Sequence, residues 1–298
     1  MQNKLIGKIK RKIRWIYVKN SHSLKESRNL KEARLDEKYR RYYEKKFSSF
    51  IESLPKYQHS HKYSNKVWWC WLQGEENAPD LCKACLSSLR KNLKNREIIV
   101  ITEDNFKKYI DLPDYVLDKY QKGFISRTHL SDILRLELLI KYGGTWIDSS
   151  VLATDYDESL FDKDLFVFKC FLKDSQGTLS SNWFITSEAN NPILHTTRDL
   201  LYEYIKHNDY FDRYFMFHIF FAIAAERYPE SWDAIPVYPN TNPHILQFEL
   251  NKPYDKARFD DICRLCTIHK LSQKINPNSM PKDSNYYHIL KQYLPKSN

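Results

Sequence analysis

The chain has 298 residues, of which 42% are hydrophobic and 15% aromatic, so it is long and apolar enough to bury a large core and we expect a globular protein. No run of 18 or more uncharged apolar residues occurs and the first residues lack the apolar segment of a secretory signal, so we expect neither a membrane span nor secretion, and a cytoplasmic protein. The formal net charge of +10 predicts an anionic partner.

The first 20 residues suggest which partner this is. They contain seven basic side chains and no acidic one. On a helix, five apolar residues share an arc of about 100°: Leu5, Ile6, Ile9, Ile13 and Ile16. This pattern is typical of a helix lying on an anionic membrane surface, here the inner face of the cell membrane.

One alternative for this amino-terminal segment is a helix packed on its own domain. Another, weaker because no aromatic residues alternate with the basic ones, is nucleic-acid binding, and we predict no nucleic-acid partner.

A domain boundary is predicted near residue 57. Charge-dense helical sequence without Gly or Pro continues from residue 21 to Pro55, where a polar stretch breaks the pattern. We therefore divide the chain into a basic amphipathic helical region, 1–56, and a larger domain, 57–298, that ends in a helical segment.

Strands and helices alternate beyond this boundary. "KVWWCWL", "EIIVIT" and the stretch that starts at Gly144 read as strands, and helices are predicted over 79–94, 113–121 and 127–142. Pro79 opens the first of these helices. Such alternation predicts an α/β domain with a mostly parallel sheet, whose ligands bind at the carboxyl ends of the strands.

The six cysteines are expected to be reduced thiols, as is usual in the cytosol. Two pairs have the C-x-x-C spacing of half a zinc site, Cys82/Cys85 and Cys263/Cys266, but they lie far apart in the chain. Cys82 and Cys85 fall on the apolar face of a predicted helix, which favours ordinary core residues.

Charged residues lie on the first turns of the helix over 127–142 and shortly after the helix ends. Asp132 and Arg135 are three residues apart and share a face, so they form either a ligand site or a structural ion pair. In "GGTWIDSSV", Gly143 or Gly144 ends the helix and Asp148 follows a strand. A divalent cation usually takes oxygen ligands from alternate residues of such a segment, yet Ser150 stands where the second carboxylate is expected.

The sequence "HLSDILRLELLIKYGGTWIDSSV" resembles the core of the sugar-nucleotide glycosyltransferases of family 32 and the capsular polysaccharide synthesis group. It is more distantly similar to the clostridial glucosylating toxins. The segments "VWWCWLQGEENAPDLCKACLSSL", "SNWFITSEANNPIL", "YFMFH" and "IHKL" extend the resemblance over roughly residues 64–275. The resemblance implies a GT-A fold with a Rossmann-type sheet, a UDP-sugar donor, an Mn²⁺ or Mg²⁺ ion and transfer with retention at the anomeric carbon.

The resemblance also implies roles for individual residues. Asp132 and Arg135 hold the donor sugar, and the metal ligands are Asp148, Ser150 and His269. Because a serine hydroxyl is a neutral and weaker ligand than a carboxylate, we expect the metal to be held weakly before the donor arrives.

Further residues complete the implied site. The donor is bound, in addition, by Trp71, Gln73, Lys270 and Lys274; Asn182 and His218 are implied as catalytic, and Trp183 and His218 as acceptor-binding. For Trp71 the alternative is a buried core tryptophan, for His218 an ordinary buried histidine, and for the late lysines a solvated basic tail.

The function predicted from these features is a metal-dependent retaining hexosyltransferase. It moves galactose or glucose from a UDP-sugar to a lipid-linked saccharide in capsular or surface polysaccharide synthesis, at the inner face of the cell membrane. Two alternatives stay open: a nucleotide-sugar or glycan-binding protein with impaired catalysis, which would explain Ser150, and a peripheral membrane scaffold, which would explain the charge.

Overall fold

The computed structural model describes residues 28–170 and 178–295. The predicted amphipathic helix within residues 1–20 lies outside these ranges. In chain order the helices and strands are α1 (Arg28–Lys46), α2 (Ser48–Ser53), β1 (Lys66–Cys70), α3 (Asp80–Asn92), β2 (Glu97–Ile101), α4 (Asp114–Gln121), α5 (Arg127–Tyr142), β3 (Gly144–Ile147), β4 (Val151–Ala153), β5 (Leu165–Lys169), β6 (Ser180–Ser187), α6 (Pro192–His207), α7 (Met216–Arg227), α8 (Pro229–Asp233), α9 (Ile245–Phe248), α10 (Lys256–Leu265), β7 (Ile268–Lys270) and α11 (Asn285–Tyr293).

A five-stranded sheet forms the centre of the domain, in the order β2-β1-β3-β6-β5. Strand β1 is parallel to β2 and β3, whereas β6 is antiparallel to both of its neighbours. Four of these five strands therefore run in the same direction and only β6 opposes them. The predicted α/β fold with a mostly parallel sheet flanked by helices is confirmed. Strands β4 and β7 pair separately as a small antiparallel sheet.

Local sequence signals set the ends of α5, which has the predicted bounds. The Ser126 hydroxyl accepts a hydrogen bond from the His129 amide at 3.2 Å and so caps its first turn. At the other end Gly143 has a φ of 68° and its N–H donates to Leu139 O at 2.8 Å. Gly144 is needed for a different reason, since a Cβ there would lie 2.4 Å from Lys66 O. Together the glycines turn the chain directly from helix into β3.

The sheet has an apolar layer on each face. Successive side chains of β1 point to opposite faces, so Trp68 packs in the layer under α5, α6 and α7, whereas Trp69 packs in the other layer. Trp71 packs with Trp69, as the alternation predicts. Cys82 is buried in the second layer and Cys85 in a third cluster under α11. The six cysteines, all within the described ranges, carry free thiols.

Helix α1 packs against the body of the domain through α7. Arg40 bonds both carboxylate oxygens of Glu226 at 2.9 Å, and the ring of Tyr43, which is 1% exposed, meets that of Phe220 edge-on. Within residues 28–170 and 178–295, no helix is long and apolar enough to cross a bilayer.

Candidate active site

Several polar side chains meet at the carboxyl edge of the central sheet. Strands β1 and β3 both end there, and the antiparallel β6 begins there, since Ile147 pairs with Phe184. The Asp148 N–H extends this ladder by donating to Trp183 O at 2.8 Å. The loop after β3 and the start of β6 are thereby held side by side.

Arg135 lies at the centre of this group. Its Nη1 donates to Asp132 Oδ1 at 2.7 Å and its Nη2 donates to Asp148 Oδ1 at 3.1 Å. The guanidinium also lies 4.8 Å from the centre of the Trp146 ring, a cation–π distance. Only 3% of Arg135 is exposed. A buried guanidinium that bonds both carboxylates fixes them relative to each other.

The Asp148 carboxylate is fixed through one oxygen and open at the other. Oδ1 accepts hydrogen bonds from Trp146 Nε1 at 2.9 Å and from Arg135 Nη2. Oδ2 faces Lys270 Nζ at 3.8 Å, and 27% of the side chain is exposed. Because both hydrogen bonds go to Oδ1 and the side chain is partly exposed, Oδ2 can accept a bond from a ligand.

Asp132 is the more deeply buried carboxylate. Its Oδ1 accepts hydrogen bonds from Arg135 and, at 3.0 Å, from Asn182 Nδ2 on β6. Burial raises the pKa of Asp132 to about 6, an effect that Arg135 opposes and the Asp148 charge reinforces. Asp132 therefore changes charge close to neutral pH.

Lys270 reaches the same place from the far end of the chain. Strand β7 pairs with β4 so that Lys270 lies opposite Val151, and the Leu271 N–H donates to Ser150 O at 2.8 Å. The Lys270 ammonium donates to Ser150 Oγ at 2.5 Å. We call the set of Asp132, Arg135, Asp148, Asn182 and Lys270 the carboxyl-edge cluster.

The residues predicted to hold a divalent cation do not fit one. Asp148 is the single carboxylate among the three predicted ligands, and Ser150 Oγ accepts a hydrogen bond from the Lys270 ammonium. His269 is fully buried, its Nε2 lies 3.1 Å from Thr154 Oγ1, and as the strand neighbour of Lys270 it points to the opposite face. Arg135 and Lys270 both lie beside Asp148, so two positive charges would repel a cation bound there.

His218 lies near the cluster, inside the fold. Its ring packs edge-on against Phe215 and Phe217. Burial lowers its pKa to about 3, with Arg135 adding to the effect, so the imidazole is neutral at physiological pH. Its Nδ1 has no hydrogen-bond partner among the described residues.

The remaining predicted residues lie at varied depths. Trp71 is half-buried and its Nε1 has no partner in the described part of the chain. Trp183 is 5% exposed and stacks on Phe168 at 4.7 Å. Gln73 and Lys274 are exposed. Among the residues that the structure describes, Trp183 bonds the carboxyl-edge cluster through its backbone O, and no side chain of these four is hydrogen-bonded to the cluster.

Two residues of this region were missed by the sequence reasoning. Trp146 Nε1 donates a hydrogen bond to Asp148, and its position two residues before Asp148, on β3, was a usable signal. Tyr214 is close enough for the Asp132 and Asp148 charges to raise the pKa of its hydroxyl, after the larger effect of burial. Its ring also lies 5.8 Å from Lys274 Nζ. Tyr214 opens the segment "YFMFH", of which only His218 was assigned a role.

A second polar cluster lies at the opposite, amino edge of the sheet, where β6 ends at Ser187 opposite Gly144. His61 Nδ1, Asp164 and Glu188 there place one ligand atom each within 4.8 Å of one another, and they are the one such group of three or more metal-binding side chains in the ranges described. His59 Nδ1 also bonds Glu188. We call these four residues the amino-edge cluster.

The family is decided by a comparison with known protein families. Residues 16–289 match the family described as "Capsular polysaccharide synthesis protein". The chain belongs to this family. The resemblance to the capsular polysaccharide synthesis group of glycosyltransferases, drawn from five ordered sequence segments, is thereby confirmed.

Two solved structures are similar in part. One, "PaToxG Glycosyltransferase", is 17% identical, with 86% of this chain and 96% of that chain covered and a TM-score of 0.40. A mutant transferase is 12% identical, with 63% of this chain and 93% of that chain covered and a TM-score of 0.34. At these scores the two likenesses add nothing to the family assignment. A search of curated proteins finds no match.

Proposed function

We propose that this member of the capsular polysaccharide synthesis family is a retaining glycosyltransferase that moves a hexose from a UDP-sugar to a saccharide acceptor. The observation that carries the proposal is the carboxyl-edge cluster, in which two carboxylates, an amide and two cationic groups converge where an α/β sheet binds its ligands. Galactose and glucose are the hexoses proposed.

The cluster supplies complementary groups for the two halves of such a donor. Carboxylate and amide groups bind sugar hydroxyls, and in this site Asp132 and Asn182 lie on one side of Arg135. An ammonium binds phosphate oxygens, and Lys270 lies on the other side, at Asp148. We assign the sugar to the first side and the diphosphate to the second, with Arg135 as the positioning residue between them.

The proposed reaction breaks the bond between the anomeric carbon and the diphosphate oxygen. The acceptor hydroxyl oxygen forms the new bond on the face that the diphosphate leaves, and the hydroxyl proton passes to the leaving diphosphate. Lys270 stabilises the negative charge that develops on that leaving group. Dependence on Mn²⁺ or Mg²⁺, expected from the resemblance, is not part of the proposal because Asp148, Ser150 and His269 do not form a cation site.

The donor is best tested by thermal shift, with UDP-galactose and UDP-glucose as ligands and GDP-glucose as a control for the base. Selective stabilisation by one UDP-sugar supports the proposal, since a ligand raises the melting temperature only by binding the folded state. Product analysis by NMR then reads the anomeric configuration, and an inverted product contradicts retention. If no nucleotide sugar stabilises the protein or is hydrolysed, the alternative of a protein without transferase activity is favoured.

For the acceptor we propose a lipid-linked saccharide at an anionic membrane surface. The support among described residues is one face of α1, on which basic and apolar side chains are exposed together at helical spacing. Leu35 is 39% exposed and Tyr42 is 54% exposed, and the exposed basic residues beside them are Lys31, Lys38 and Lys45. Such a face suits the boundary between lipid headgroups and water.

Vesicle flotation tests this contact. Lys38→Glu/Lys45→Glu should weaken binding to vesicles that contain phosphatidylglycerol, because each basic residue at such a surface contributes on the order of 1 kcal/mol. Lys252→Glu/Lys291→Glu, which changes two exposed lysines elsewhere by the same charge, is the matched control. Equal binding by both double variants would place the membrane contact outside α1.

A further inference from the structure

We propose that Lys270 takes the place of the divalent cation in this site, so that the protein binds a diphosphate group without metal. The inference rests on the proposed function and specifies which group neutralises the donor's phosphates. It depends on three properties of Lys270: its fixed position, the charge balance around it, and its access to solvent.

The position of Lys270 follows from backbone pairing and not from a chance side-chain contact. Antiparallel pairing of β4 with β7 aligns Val151 with Lys270, and the Leu271 N–H to Ser150 O bond continues the ladder by one residue. Ser150 and Lys270 are thus adjacent whatever their side chains do. The ammonium is then held by Ser150 Oγ at 2.5 Å and Leu271 O at 3.2 Å.

The charge balance opposes a bound cation. Asp148 Oδ1 already accepts two hydrogen bonds, so only Oδ2 is open, and the ammonium lies 3.8 Å from it. Mg²⁺ binds oxygen at about 2.1 Å and prefers several such ligands. An ion on Oδ2 would therefore sit beside the Lys270 charge with one carboxylate to hold it. An anionic ligand at the same point instead gains from that charge.

Lys270 is also accessible to solvent. Its side chain is 19% exposed and that of Asp148 is 27% exposed, so a ligand can contact both from solvent. Arg135, in contrast, is 3% exposed and bonded to two carboxylates. Lys270 is therefore the cation of the cluster that a phosphate oxygen can reach.

The test measures binding of inorganic pyrophosphate and of UDP by calorimetry, in EDTA and in Mn²⁺. We expect the parent protein to bind pyrophosphate equally well in both. Lys270→Met should weaken binding in EDTA by about 10- to 100-fold, the loss expected for a charge-assisted hydrogen bond. Lys270→Arg, which keeps the cation, should retain most of the affinity, and Lys256→Met, an exposed lysine paired with Asp260, is the control.

Lys270→Asp gives an independent check, because it places a second carboxylate at Asp148 and removes the competing cation. This variant should bind pyrophosphate only when Mn²⁺ is present. Melting temperatures of all variants establish that they fold.

The outcomes separate this inference from the proposed function. If pyrophosphate binds in EDTA and Lys270→Met abolishes that binding, the inference holds even when UDP binds no more tightly than pyrophosphate, a result that would count against the UDP-sugar donor. If the parent binds neither ligand in EDTA, or Lys270→Met binds as the parent does, Lys270 does not replace a cation and the inference is overturned.

Discussion

The two edges of the central sheet carry similar sets of charged residues but use them differently. At the carboxyl edge, Asp148 keeps one oxygen directed at a partly exposed lysine. At the amino edge, Glu188 is fully buried and its oxygens accept hydrogen bonds from the backbone N–H groups of Ser60 and His61 and from Asn191 Nδ2. The first arrangement leaves capacity for a ligand, whereas the second is satisfied by the protein itself.

The difference shows why composition alone does not identify a site. Both clusters combine acidic residues with basic or imidazole groups, and the amino-edge cluster has more side chains suited to a metal. What separates them is the number of partners that each carboxylate already has. A buried carboxylate that accepts several backbone N–H bonds holds a segment in place, so we assign Glu188 to folding and Asp148 to the ligand.

The largest expected effect is that of Asp148→Asn on transfer. The amide oxygen can still accept from Trp146 and Arg135, so the fold should persist. The charge of the carboxylate that we assign to the ligand is lost, however, and the rate should fall on the order of 100-fold, as misplaced reacting groups usually cost. Pyrophosphate affinity in EDTA should not fall, since a negative charge has been removed beside an anion. A loss of affinity that appears only in Mn²⁺ would instead show that Asp148 binds metal.

Glu188→Gln is the matched change at the other edge. The amide group brings donors toward the Ser60 and His61 N–H groups, so a buried donor loses its acceptor and the free energy of unfolding should fall by about 1.5–3 kcal/mol. Urea denaturation measures this loss. Transfer per folded molecule should match the parent, and a selective loss of activity with unchanged stability would break the contrast between the edges.

Sequence patterns predict the parts of this structure that depend on nearby residues. The bounds of α5 follow from Ser126, the apolar spacing and Gly143, all within one segment. The sharing of a face by Asp132 and Arg135 is equally local. The same reasoning supports Trp69 and Trp71 on one face of the sheet.

Local sequence patterns could not predict the contacts between segments that lie far apart in the chain. The Ser150–Lys270 bond joins residues that are 120 positions apart, through two three-residue strands whose pairing has no local signal. The resemblance therefore implied that Lys270 and Lys274 bind the donor, but not that Lys270 lies beside the predicted metal ligands Asp148 and Ser150. The resemblance implied His269 as a metal ligand, but strand alternation directs its imidazole away from Lys270.

A smaller effect is expected from pH at the carboxyl edge. Since the pKa of Asp132 is raised to about 6, the carboxylate is ionised above that pH and protonated below it. UDP-sugar affinity should therefore fall by about 5-fold between pH 6 and pH 5, as the ionised fraction falls, because a protonated carboxyl accepts sugar hydroxyls less well. Asp132→Asn should lose this pH dependence. His218, with a pKa of about 3, does not titrate in this interval. If the affinity of Asp132→Asn for the UDP-sugar still falls between pH 6 and pH 5, a group other than Asp132 is responsible.

The smallest effect is expected from His61 at the amino edge. The side chain is 64% exposed, and its hydrogen bond to Asp164 raises its pKa above the ordinary value of 6.5. A raised pKa in the folded state contributes stability below pH 6.5 that is lost as the pH rises through the folded value. Parent and His61→Gln should thus differ slightly in melting temperature at pH 5.5 and converge at pH 8.5. Added Zn²⁺ should leave both melting temperatures unchanged, because the Glu188 oxygens already accept hydrogen bonds from the protein. If Zn²⁺ raises the melting temperature of the parent but not of His61→Gln, the amino-edge cluster is a metal site and the two clusters do not differ as we propose.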